Sequence, residues 1–185
     1  MRKIPLLLSL LAAASGADAG TFTLTSAQIA PNATIAKAQV YNGFGCTGDN
    51  VSPALSWQDP PAGTKGFALL VHDPDAPTGG SGWWHWVLID IPATVDALPV
   101  GTGASDGSKM IAGVRQITTD FGSAGWGGPC PPVGDKPHRY NFTLHALDVP
   151  KLEVPPGASA ALVGYLVNAH SLGKASLTGL YGREQ

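Results

Sequence analysis

The chain has 185 residues, with 11 Lys and Arg against 13 Asp and Glu, a net charge of −2 with histidine neutral. That balance, with no basic stripe, excludes nucleic acid or another polyanion as the expected partner. A chain of this length can bury a core as one domain, since domains of about 150 residues bury roughly 70% of their extended-chain surface.

Residues 1–19 read as a secretory signal. Arg2 and Lys3 form the positive start, Ile4 to Ala14 the apolar middle, and Ala17, Asp18 and Ala19 a small-x-small cleavage site. The expected mature product is one domain spanning 20–185, exported to the periplasm or the exterior. No later stretch approaches the roughly 18 apolar residues a spanning helix needs, and no cysteine follows the apolar segment to carry a lipid anchor. Export places Cys46 and Cys130 in an oxidising compartment, where a disulfide is the expected state and two separate buried thiols the alternative.

Phe22 to Thr25 alternates like a half-buried strand, and 40–57 reads as a glycine-rich loop returning to a strand that ends at Trp57. Asp59 to Gly63 is a turn. Gly66 to His72, GFALLVH, is a continuous apolar run expected of a central strand covered on both faces. The following loop, DPDAPTGGSG, leads through Trp83, Trp84, His85 and Trp86 into a second apolar strand. Ile91 to Pro99 is a short connection, Val100 to Gly107 an exposed loop, and 113–119 a further short strand. Asp120 to Pro137 is too rich in glycine and proline for regular structure, and a loop that long inside a domain is usually functional. His138 to Asp148 alternates strictly, with Tyr140, Phe142, Leu144 and Ala146 on one face. Ser159 to Leu172 repeats at helical spacing, and Lys174 to Tyr181 closes with a strand. Many short strands, abundant turn residues and one late helix predict a mainly β fold, an antiparallel sandwich with a C-terminal helix packed on it.

Candidate chemistry gathers in two places. Asp73 and Asp75, two apart, would point the same way in an extended backbone and could serve as acid and base with His85 in a small-substrate hydrolase. The plainer reading of the aspartates is loop capping, and of His85 a satisfied core side chain. Trp83 to Trp86 could instead form the stacking platform of a carbohydrate-binding module. His138 opens a strand straight after a Pro and Gly loop; His72, His145 and His170 are assigned to packing or surface. No GxSxG, HExxH, P-loop or dinucleotide-binding glycine pattern occurs, and no CxxC pair supports zinc. An Asp and His metal site stays open on composition alone, but no metal or cofactor is the expected state.

The runs DPDAP at 73–77, WHW at 84–86 and GPCPPVGDKPHRY at 128–140 resemble the two signature regions of the phosphatidylethanolamine-binding protein family, and within it the bacterial Raf-kinase-inhibitor-like branch in an exported form. The resemblance covers essentially the whole predicted mature chain. It implies an antiparallel β-sandwich with a small surface cavity for an anionic group: phosphate, a phosphorylated side chain or phosphoethanolamine. Position by position, it assigns Asp73 and Pro77 from the first motif, His85 from the next strand, and Gly128, Pro129, His138 and Tyr140 from the second motif as ligand-binding residues. It implies a non-enzymatic binding or regulatory protein, with a protein partner as the target of any inhibitory role. Two departures stand out: Trp84 replaces a second histidine of animal members, which would make the mouth more apolar, and Cys130 interrupts the proline pair, so a disulfide would fix the wall. A histidine-lined anion site should bind better as pH falls through about 6.5 unless burial shifts the histidines.

Overall fold

A computed structural model describes residues 20–184; the signal segment expected at 1–19 lies outside the described residues. Among the described residues, ten strands and one α-helix form the body. They are β1 (Thr23–Thr25), β2 (Asn42–Gly43), β3 (Cys46–Thr47), β4 (Leu55–Gln58), β5 (Gly66–Asp73), β6 (Trp83–Pro92), β7 (Ala97–Leu98), β8 (Arg115–Gln116), β9 (His138–Leu147), α1 (Ala160–Ala169) and β10 (Ser171–Tyr181).

The main sheet has five strands in the order β10-β9-β5-β6-β8, with every pairing antiparallel. A three-stranded sheet, β1-β4-β7, covers one face, and α1 packs on the other. The apolar run at 66–72 therefore lies at the centre of the larger sheet, as its two-sided hydrophobicity requires. Phe67, Leu69 and Val71 enter the core between the two sheets. Ala68 and Leu70 enter the core beneath the helix, with Val163 and Val167 of α1. The alternation predicted along β9 holds: Tyr140, Phe142 and Leu144 are fully buried on the inter-sheet side.

Two irregularities in the β5–β6 pairing shape the interior. Near the far end of β6, Phe67 faces Ile91 while Leu69 faces Leu88, so β6 carries an extra residue there. Asp90 takes it up at a positive φ of 62°, and its buried carboxylate accepts from Arg115 Nε at 2.6 Å and Leu152 N at 2.9 Å. Near the other end, Val71 faces Trp86 and His72 faces Trp84, leaving His85 as the bulged residue. A bulge bends its strand and re-aims side chains. Here it sends His85 and Trp86 towards the inter-sheet side, while Trp84 packs with the residues beneath the helix.

Three local expectations need correction. The helix ends at Ala169, and Ser171 and Leu172 already belong to β10; Ser159 caps its start by accepting from Leu162 N. Ile91 to Pro99 contains β7 as well as a connection. The segment from Val100 to Gly107 is not an exposed loop throughout, because Gly101, Thr102 and Gly103 are buried. Gly103 slips beneath Trp126, where a Cβ would come within 2.7 Å of the Trp126 Cβ.

His145, on the helix-facing side of β9, is buried and holds Ser171 Oγ at 3.0 Å. Burial, helped by the nearby Lys174 charge, lowers its pKa from 6.5 to about 4. The unfolded chain therefore binds more protons than the folded one between these values, so stability should fall as pH drops from about 6.5 to about 4 and level off below. Denaturant unfolding at several pH values should show this loss in the wild type and a smaller one in His145→Gln. An unchanged pH slope in the variant would assign the loss to other groups.

Candidate functional site

The first motif forms a turn held by its own aspartates. Asp73, the last residue of β5, accepts on Oδ1 from Asp75 N at 2.8 Å and Ala76 N at 3.1 Å, the local capping for which Asp is suited. Asp75 does not turn the same way. Its carboxylate takes a bidentate pair from Arg139 at 2.9 and 2.7 Å and accepts from Arg139 N at 2.9 Å, which pins the turn to the start of β9. The Arg139 hydrogen bonds lower the Asp75 pKa to about 2. It stays ionised at neutral pH and has no proton to give as an acid.

The long loop of the second motif is anchored from below. Asn50 donates to Trp126 O at 3.1 Å and accepts from Gly128 N at 2.8 Å, and Tyr41 N donates to Pro129 O at 3.1 Å. Gly128 sits so close to the chain at 39–41 that a Cβ would meet Gln39 O at 2.0 Å. Further along, Cys130 is joined to Cys46 of β3 in a disulfide with a Cα–Cα distance of 6.0 Å. From the C-terminal segment, Arg183 braces the same wall, donating to Pro131 O at 3.4 Å and Gly45 O at 3.0 Å.

The two motifs enclose a cavity of about 210 Å³. Asp73, His85, His138 and Tyr140 lie at its polar end. Ala76, Pro77 and Thr78 form one side, and Cys130, Pro131 and Pro132 the other. Phe44, Trp83 and Phe121 complete the lining. Of the residues assigned by resemblance, Asp73, Pro77, His85, His138 and Tyr140 come together here. Gly128 and Pro129 do not reach the lining; they hold the loop through the backbone contacts above. Trp84 does not line the cavity either, because the bulge turns it to the opposite side, where its ring lies 4.4 Å from that of His72.

The motifs supply Ala76, Pro77, Cys130, Pro131 and Pro132 to the lining, but its aromatic part, Phe44, Trp83 and Phe121, comes from outside them. Phe121 is its hub, with ring centroids 5.5 Å from Trp83, 5.3 Å from His85 and 4.6 Å from Tyr41. Phe44 stacks on it at 6.0 Å from the tip of the β2–β3 hairpin, 67% exposed and at a positive φ of 52°, which a bulky side chain rarely adopts. The available signal was a large ring inside a glycine-rich loop, NGFG and DFGS, where a ring needs cover. The three tryptophans at 83–86 share no surface. Trp83 reaches the cavity, Trp84 the helix side, and Trp86 is fully buried against Trp126, so they make no stacking platform.

The polar end has a defined hydrogen-bonding state. His138 Nδ1 is 2.8 Å from Asp73 Oδ2, and its Nε2 lies 3.4 Å from Asp135 Oδ2, a partner that the motif reading missed. Both of its ring nitrogens are thus directed at carboxylates. His85 Nδ1 donates to the Gly127 carbonyl at 2.6 Å. Burial lowers the His85 pKa to about 4, against the opposing pull of that carbonyl and of Asp73 and Asp120. A neutral ring with its proton on Nδ1 presents Nε2 as an acceptor. The expected rise in binding as pH falls through 6.5 therefore does not come from His85. Tyr140 is fully buried, and its hydroxyl has no partner among the described residues. Burial, then Asp73, raises its pKa, so it keeps its proton and remains a donor. Among the described residues, no group of three or more His, Cys, Asp or Glu side chains is arranged to hold a metal ion. Nor, among them, is any helix long and apolar enough to cross a membrane.

Comparison with known proteins gives a consistent result. The family model for phosphatidylethanolamine-binding protein matches residues 25–182. YbcL of Escherichia coli K12 is 50% identical over 165 residues, which cover 89% of this chain and 90% of YbcL. The crystal structure of E. coli YbcL, described as a new member of the mammalian PEBP family, aligns with a TM-score of 0.84 over 87% of this chain and 98% of that one. YbhB of the same species is 53% identical over 142 residues, 77% of this chain and 88% of its own. LppC of Mycobacterium tuberculosis, named as a lipoprotein, is 37% identical over 138 residues, 75% of this chain and 63% of its own.

Proposed function

The chain belongs to the phosphatidylethanolamine-binding protein family, and from that premise we propose that it is an exported, non-enzymatic binding protein whose cavity receives the phosphate of a small ligand or of a phosphorylated group. The observation that carries this reading is the Tyr140 hydroxyl, a buried donor in the cavity lining with no partner among the described residues. Buried polar groups are nearly always paired, so an orphan donor at the polar end of a cavity calls for an acceptor from outside the chain. Phosphate oxygens are such acceptors, and the apolar lining suits the remainder of a small organic phosphate. The expected location is the periplasm or the exterior, where a protein partner would be the target of any regulatory role.

The carboxylates are poorly placed for hydrolysis. Asp73 gives one oxygen to the turn and the other to His138, and Asp75 is held by Arg139 outside the cavity lining. Calorimetric titration with phosphate and with phosphoethanolamine should give weak, saturable binding that His85→Ala reduces. A panel of chromogenic phosphoesters and glycosides should show no turnover. Turnover that Asp73→Asn abolishes would replace the binding reading with a hydrolase.

A further inference from the structure

The polar end of the cavity offers one donor and one acceptor where an anion site would be expected to offer donors alone. Tyr140 supplies the donor. His85 supplies the acceptor, because the Gly127 carbonyl can only accept and so fixes the imidazole proton on Nδ1. Both residues line the cavity, and their rings meet edge to face with centroids 5.0 Å apart.

The surrounding charge does not favour a dianion. Among the described residues, no Lys or Arg lines the cavity. Arg139 is paired with Asp75, and Arg183 donates to backbone carbonyls behind the wall. The charges that act on His85 come from Asp73 and His72 of β5 and Asp120 of the long loop, Tyr140 of β9 lies against its ring, and His138 of β9 lies between Asp73 and Asp135. Two carboxylates therefore flank the one neighbouring imidazole whose nitrogens both face acids.

We infer that the cavity takes its oxyanion in a protonated form, the ligand's own hydroxyl donating to His85 Nε2 while an unprotonated oxygen accepts from Tyr140. This deepens the reading of the cavity as a phosphate site and rests on it. The consequence is selectivity by proton content. Phosphate and phosphomonoesters can gain a P–OH within about a pH unit or two of neutrality, whereas sulfate, of nearly the same size and shape, cannot, and neither can a phosphodiester. When the dianion is the form in solution, the proton is taken up from water or buffer and ends on the ligand oxygen facing His85. The depressed His85 pKa of about 4 keeps the ring an acceptor across the range in which phosphate titrates.

Isothermal titration of the full chain at pH 7.5, in two buffers of different ionisation enthalpy, tests this with inorganic phosphate, phosphoethanolamine, sulfate and dimethyl phosphate as probes. Phosphate and phosphoethanolamine should both bind with proton uptake, and for phosphoethanolamine, above the second pKa of a phosphomonoester, about 6, the apparent affinity should fall towards tenfold per pH unit. Sulfate and dimethyl phosphate should bind at least about tenfold more weakly, the loss expected when a buried acceptor goes unmatched. Sulfate binding should emerge only as the pH approaches about 4 and His85 gains its second proton. Equal affinity for phosphate and sulfate at pH 7.5, or phosphate binding without proton uptake, would overturn the inference and leave the phosphate site standing. Tighter binding of dimethyl phosphate would overturn it in favour of a lipid-like diester. Binding by none of the four probes would remove the phosphate site itself and this inference with it.

Discussion

Tyr140→Phe should weaken phosphate binding by about 10- to 100-fold and leave the protein as stable as the wild type or slightly more so. A hydrogen bond to a charged acceptor contributes about 1.5–3 kcal/mol, and each 1.4 kcal/mol is tenfold in affinity. The stability half of the prediction follows from the ligand-free state. The hydroxyl is buried without a partner, so the folded chain carries a desolvation cost that phenylalanine lacks. The ring itself stays in place in the inter-sheet core, beside His85 and above Phe142 along β9. Most core substitutions lose binding because they loosen the fold, whereas this one separates the two. Titration and thermal unfolding of the same preparation check both halves. Unchanged affinity would show that the hydroxyl does not meet the ligand, and a large loss of stability would show that it has a partner in the folded protein.

The second large effect concerns the disulfide. Cys46→Ala with Cys130→Ala should lower stability by about 4 kcal/mol, because the bond closes a loop with a sequence separation of 84 and constrains the unfolded chain accordingly. For a chain of this size that corresponds to a fall in Tm of about 10 °C. The bond also joins the Cys130 wall to the hairpin carrying Phe44, so the cavity should loosen. It should not collapse, since Arg183 ties Pro131 to Gly45 across the same gap. Phosphate affinity should therefore fall less than stability does. Calorimetry of the wild type with and without a dithiol, compared with the double variant, makes the test. An unchanged Tm would mean that the loop is ordered equally well without the bond.

Some of the fold was legible because burial leaves a periodic trace. The unbroken apolar run at 66–72 required cover on both faces, and it lies at the centre of the sheet with a layer on each side. The strict alternation from His138 gave β9 and placed Tyr140 on its buried face. The boundary between α1 and β10 was less legible, because Leu172 fits a helical spacing as well as a strand and only pairing decides between them.

The candidate site was partly legible for a different reason. Asp73, Pro77, His85, His138 and Tyr140 are recognisable from their motifs, and they do meet in one cavity. Gly128 and Pro129 belong to the same motif yet act behind the lining, since a motif records which residues matter without recording which way they face. Phe44 and Phe121 lie in unrelated loops, and only the folded chain stacks them.

By itself, then, the sequence determined the mainly β architecture, the central strand, the family likeness, and the turn chemistry by which Asp73 caps its own loop. These depend on residue type and near neighbours. Tertiary structure alone decided how the groups at the site are used. A one-residue bulge at His85 separates it from Trp84, and the Gly127 carbonyl, 42 residues away, sets the tautomer of its ring. Arg139 holds Asp75 ionised, and burial leaves the Tyr140 hydroxyl without a partner among the described residues. Each of these is a contact between distant segments, and the charge and hydrogen-bonding state of a buried group depend on such contacts rather than on its place in the chain.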